Sequence, residues 1–142
     1  MQDTLIQITT MQWNSDTKEE ESIQLTTEGQ YTFKRDHLYL VYQESELSGM
    51  KGTTTTLKLQ EDGVVSLRRY GVSNMDMVFT EGKRFKTMYH TPYGDVPMEI
   101  LTKNIECEVS KEPFSAKVTI EYDICVKNLF DGKNKMTIIA KK

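Results

Sequence analysis

The residue in this chain best placed to do chemistry is Arg69. It stands in Val65-Ser66-Leu67-Arg68-Arg69-Tyr70, where apolar residues recur at alternate positions. In a strand such positions share one face, so Arg69 falls on the side of Val65 and Leu67. A guanidinium on an apolar face is costly unless it meets an anion. Two readings stay open: an anion or carboxylate site inside a barrel cavity, or an arginine near a strand end that snorkels to the mouth or pairs with a carboxylate of the chain. The same alternation turns Tyr89, Tyr31, Tyr42 and Tyr122 inward and sets Thr55 opposite Arg69. A tyrosine offers an apolar body and a polar tip, so these residues either line a ligand cavity or pack a core with their hydroxyls satisfied. The candidate ligand-binding residues are Arg69, Tyr89, Thr55 and Tyr122.

Other chemistries find less support. His37 and His90 are far apart, and no Cys or His has zinc-ligand spacing, so no metal or cofactor is expected. Cys107 reads as inward and Cys125 as outward, which predicts two free thiols. There is no Gly-x-Ser-x-Gly elbow, phosphate loop or HExxH helix, and no catalytic residue is assigned. The carboxylates fall mostly in turns or on outward positions.

The elements that position Arg69 must be strands. The chain has 142 residues, 37% of them apolar, which suits one domain over 1–142 built from antiparallel strands with one solvated face. A net charge of −3 supplies no basic stripe for nucleic acid. No signal-peptide pattern and no membrane-length apolar run appear, so the expected location is the cytoplasm without membrane contact.

Period-2 alternation runs from Leu5 to Ala140 with no helical stripe. Gly29 lies inside one long bent strand or between two short ones. A three-residue turn at Glu61-Asp62-Gly63 sets Leu59 opposite Val65, Leu57 opposite Leu67 and Thr55 opposite Arg69. A turn at Gly71-Val72-Ser73 sets Arg69 opposite Met75. One at Glu81-Gly82-Lys83 sets Phe79 opposite Phe85, Met77 opposite Thr87 and Met75 opposite Tyr89. Pro92-Tyr93-Gly94-Asp95 then sets Tyr89 opposite Met98 and Thr91 opposite Val96. Glu44 to Gly52, with Gly49 as punctuation, is a loop. The apolar parity changes after Thr102, which predicts a bulge near Lys103-Asn104. The expectation is all-β: a single antiparallel meander β-barrel of about eight to ten strands, closed to remove its edges.

The order and spacing of several short pieces resemble a family of small, functionally uncharacterised bacterial proteins with a calycin-like (lipocalin-like) β-barrel, a domain of unknown function. These pieces are Gly29-x-Tyr31, Tyr39-Leu40-x-Tyr42-x-Glu44, Thr55-x-x-Lys58, Arg69-x-Gly71, Phe79-x-x-Gly82, Tyr89-x-x-Pro92-Tyr93-Gly94, Thr102-x-x-Ile105, Tyr122-Asp123 and Met136-Thr137-Ile138. The resemblance implies a fold and carries no established site. It favours a lumen behind Arg69 and Tyr89, either filled by side chains or holding one small ligand.

The leading functional expectation is a non-enzymatic barrel that binds a small amphipathic or anionic ligand. The alternative is a protein-interaction module, a homodimer in its simplest form. It draws on Leu5, Met11 and Trp13, which share the face opposite Ile6 and Ile8.

Overall fold

The computed structural model describes residues 1–44, 51–71, 74–91 and 94–142. Ten strands are formed: β1 (Gln2–Asn14), β2 (Glu20–Lys34), β3 (His37–Gln43), β4 (Thr53–Leu59), β5 (Val65–Gly71), β6 (Met75–Phe79), β7 (Arg84–Thr91), β8 (Gly94–Lys111), β9 (Phe114–Val126) and β10 (Phe130–Lys141). They make one sheet in the order β6-β5-β4-β3-β2-β1-β10-β9-β8-β7. Every neighbour is consecutive in the chain except β1 with β10, where Leu5 to Asn14 pair with Lys141 to Gly132. The sheet curls into a nearly closed barrel, with β6 and β7 as its two edges.

Alternation makes these strands. In β9, Phe114, Ala116, Val118, Ile120 and Tyr122 are all buried, while Lys117 and Glu121 between them are exposed. Turn chemistry joins them. Arg35 and Asp36 both adopt positive φ, the geometry of a two-residue hairpin turn. Gly63 takes φ +91° at the β4–β5 turn. Gly29 has another reason to be glycine. A Cβ there would lie 2.5 Å from Ile6 Cδ1 and 2.6 Å from the Val41 carbonyl oxygen. β2 therefore runs through Gly29 as one strand, packed too closely for a side chain. The predicted bulge is present as a register shift between Thr102 and Asn104.

The β4–β5 and β5–β6 pairings match the sequence reading, and β3 extends each row. Leu38, Leu59, Val65 and Phe79 form one transverse row, and Leu40, Leu57, Leu67 and Met77 the next. All eight are buried. Burying such a side chain contributes about 1.5–3 kcal/mol. At the lower end of the barrel, where the β2–β3, β4–β5 and β8–β9 turns lie, Tyr31 stacks on Phe114 with centroids 3.5 Å apart. Phe33 meets Phe114 edge-on. Lys111 Nζ reaches Asp36 Oδ1 at 3.2 Å and ties two of these turns together.

Three expectations are corrected. First, β6 and β7 are not paired, so Phe79 does not face Phe85, nor Met77 Thr87, nor Met75 Tyr89, across a ladder. The β6–β7 turn bonds to β8 instead: Gly82 N donates to Thr102 O at 2.8 Å, and Thr102 N to Lys83 O at 3.2 Å. Second, β7 and β8 are offset by two residues from the predicted register. Tyr89 faces Val96, Thr87 faces Met98, and Thr91 faces Gly94. A two-residue offset preserves which face each residue occupies, so alternation alone does not detect it. Third, Cys107 is exposed like Cys125, because β7 pairs with β8 only as far as Leu101 and leaves the rest of β8 overhanging. The predicted turn residues Val72-Ser73 and Pro92-Tyr93, and the loop glycine Gly49, lie outside the described residues.

Candidate functional site

Above the two apolar rows comes a third: Tyr42, Thr55, Arg69 and Met75. β3 to β6 supply one residue each, and the inward parity persists one step past β3 to Glu44. The Glu44 main-chain N–H donates to Thr53 O at 2.8 Å, which holds the carboxylate over the row. Its side chain is only 3% exposed, and that of Arg69 18%.

One oxygen organises the cluster. Thr55 Oγ1 donates to Glu44 Oε1 at 2.6 Å. Arg69 Nε lies 3.7 Å from the same oxygen. That is close enough for charge attraction but too long for a hydrogen bond, and Nε is buried with no hydrogen-bond partner. Burial pushes the Tyr42 hydroxyl far above its ordinary range. The Glu44 charge pushes it further, while Arg69 pulls it partly back. Tyr42 therefore stays protonated and presents a donor toward Glu44.

A second polar row lies on β8, β9 and β10, where Tyr122 stands opposite both Thr102 and Asn134. Asn134 Nδ2 donates to the Tyr122 hydroxyl at 3.2 Å. Burial raises the Tyr122 pKa, opposed by the Asn134 hydrogen bond and the Arg69 charge. Thr102 Oγ1 and Asn134 Oδ1 are buried without partners. Unpaired buried groups cost free energy, and a concentration of them calls for an explanation.

Arg69 and Thr55 share the Glu44 cluster, whereas Tyr122 belongs to the second row and packs its ring 5.0 Å from that of Phe79. Tyr89 joins neither set of hydrogen bonds. It is half-buried on β7, packed against the edge of the core. Between β6 and β7, an open cleft of about 430 Å³ is lined by Arg69, Met75, Thr87, Met88 and His90, among others. Sequence reasoning placed Glu44 only at the start of a loop. The signals that would have found it are its parity with Tyr42 and the need of Arg69 for an anion. Asn134 was not singled out either, although it shares parity with Met136.

Among the described residues, the arrangement offers no nucleophile beside a base. Neither histidine joins its hydrogen bonds, although His90 lines the cleft. The ring of His90 contacts Asp95 at 2.7 Å on the exposed side, and His37 Nδ1 accepts from Glu61 N at 3.3 Å. Among the described residues, no group of three His, Cys, Asp or Glu is placed to hold a metal ion. No helix among them is long and apolar enough to cross a membrane.

Residues 6–138 match the family model described as a domain of unknown function, DUF1934. The chain is 29% identical over 120 residues to the uncharacterized beta-barrel protein YwiB of Bacillus subtilis (strain 168), covering 84% of this chain and 80% of YwiB. It is also similar to the crystal structure of the ywiB protein from Bacillus subtilis. The TM-score is 0.80 at 26% identity, over 99% of this chain and 93% of that one. The expected barrel family of unknown function is therefore the family found.

Proposed function

This chain belongs to the DUF1934 family, and from that premise we propose that it is a non-enzymatic binding protein for a small amphipathic ligand bearing a carboxylate or similar anion. One observation carries the reading: the buried Arg69 Nε has no hydrogen-bond partner although Glu44 is 3.7 Å away. A ligand carboxylate would approach the Arg69 side chain from the cleft it lines, while the Thr55 proton stays with Glu44 and the Tyr122 hydroxyl with Asn134. Met75 would give apolar contact at the cleft, which Tyr89 does not line. Binding sites of this kind combine mostly apolar walls with a few placed polar groups.

The calycin-like classification and a cytoplasmic location belong to the same proposal. The two exposed, unpaired cysteines support a reducing compartment. Native mass spectrometry of protein purified from cells, followed by calorimetric titration with short amphipathic carboxylates, tests the ligand. The expected result is saturable binding that Arg69→Met weakens at least tenfold. Binding indifferent to Arg69, or none across the series, overturns the reading.

A second reading is self-association through the outward face of β1, where Leu5 and Met11 remain 53% and 41% exposed. Trp13 on that face is already flanked by Lys18 and Lys133, at 5.3 and 5.9 Å from its ring. Solution mass before and after Met11→Glu decides it: a dimer that becomes a monomer supports the reading, and an unchanged monomer removes it.

A further inference from the structure

β6 and β7 follow one another in the chain and lie at opposite ends of the sheet order. Their connecting turn, closed by Lys83 N donating to Thr80 O at 2.9 Å, is fastened to β8 rather than used to zip the two strands together. Among the described residues no ladder hydrogen bond joins β6 to β7. An unpaired strand edge is a template for another strand unless something blunts it. Arg84–Thr91 has no proline, and its exposed Arg84 and Lys86 lie below the Thr87–Thr91 stretch. Burial reports the same opening. On β3 to β5 the inward residues of the lower two rows are fully buried, whereas Phe85, Thr87 and Tyr89 on β7 are only half-buried.

The cleft at this seam has the charge and surface for a particular occupant. Its carboxylate Asp76 is already held by Arg68 at 3.0 Å. The ring of His90 is engaged by Asp95 at 2.7 Å. The cationic group whose hydrogen bonding is incomplete is Arg69. Met75 and Met88 wall the cleft with flexible apolar side chains that adapt to varied partners. A simple acyl chain could satisfy Arg69 and the methionines, but it would leave the strand edges unpaired. An extended peptide carrying its own terminal carboxylate would satisfy all three.

We propose that the β6–β7 seam is a strand-addition site for the C-terminal end of an extended polypeptide. Its main chain pairs with the free edge of β7, and its terminal carboxylate meets Arg69. From Thr87 to Thr91 the edge accommodates about four residues at roughly 3.3 Å each. The carboxylate meets the part of the Arg69 side chain that faces the cleft, its Nε being turned to Glu44, and residues nearer the opening contact Met88. This inference rests on the reading of Arg69 as an anion site and names the class of ligand that reaches it.

The test uses the full chain and three synthetic probes of one Thr/Val-rich hexapeptide: the free acid, the C-terminal amide, and a free acid N-methylated along the edge-pairing half. Decanoate serves as a fourth probe. Affinities come from fluorescence polarisation or calorimetry, and contacts from amide chemical shifts. The free acid is expected to bind, with affinity at least tenfold weaker on amidation and on N-methylation, and to shift the amides of β7. Because the changes are in the peptide, no altered protein need fold. Equal binding of acid and amide overturns the proposal, as does equal binding of the N-methylated form. Arg69-dependent binding of decanoate with no peptide binding also overturns it, while leaving the anion-site reading standing. Failure of every probe overturns both.

Discussion

The lower and upper parts of this lumen are built on the same strands by the same alternation, yet they bury opposite kinds of residue. Below, Leu38, Leu59, Val65 and Phe79 meet under a stacked Tyr31–Phe114 pair. Above, two rungs along, the row becomes Tyr42, Thr55 and Arg69 with Glu44 over it. The lower rows do what a core does, since removing apolar area from water stabilises the fold. The upper row works against that economy. A buried ion pair with imperfect geometry recovers little of its desolvation cost, and well-packed apolar residues often serve stability as well or better. The difference separates the part of the barrel that holds it together from the part that accounts for its proposed task.

The largest expected effect tests the lower part. Phe79 is fully buried, with its ring 5.0 Å from that of Tyr122. Phe79→Ala should cost about 3–5 kcal/mol in urea denaturation, and a loss below about 1 kcal/mol would break the assignment of stability to these rows. Arg69→Met comes next, at about 3 kcal/mol, because it strands the Glu44 carboxylate in a buried position. Recovery of most of that loss on adding Glu44→Leu would sharpen the contrast.

A smaller effect follows from the tyrosines. Tyr42 and Tyr122 both have raised pKa values in the folded protein. Above about pH 10 the unfolded chain releases these protons while the folded chain keeps them. Folding stability should therefore be insensitive to these groups below pH 10 and fall as pH rises beyond it. Tyr42→Phe should cost about 1 kcal/mol at neutral pH and make the alkaline decline shallower. An unchanged alkaline slope would show that Tyr42 is not held protonated by its surroundings. The smallest effect is Lys111→Ala. The Lys111–Asp36 pair is 62% and 66% exposed, so its loss should stay under about 1 kcal/mol by thermal denaturation.

Much of this could be read from residue order, and the failures have a common cause. Alternation places Val118, Ile120 and Tyr122 inward without reference to any partner, and the change of parity after Thr102 located the bulge. The β4–β5 and β5–β6 registers followed because short turns fix pairing. Alternation says which face a residue occupies but not which strand lies beside it. The β6–β7 pairing was therefore assumed where the structure has a seam, and the β7–β8 register was off by two residues. Tyr89 was set opposite Met75 in the row of Arg69 on that assumed ladder and lies instead half-buried on β7, opposite Val96. Glu44 was hidden for another reason: it stands just past the end of β3, where alternation stops being a guide.

The central claim is that the upper row is kept for binding and not for stability. The measurement that tests it most directly compares the Glu44→Leu/Arg69→Met double variant with the unsubstituted protein, by urea denaturation and by titration with an amphipathic carboxylate. The account predicts stability within about 1 kcal/mol of the original together with loss of binding. A double variant that loses several kcal/mol, or one that binds as before, would contradict it.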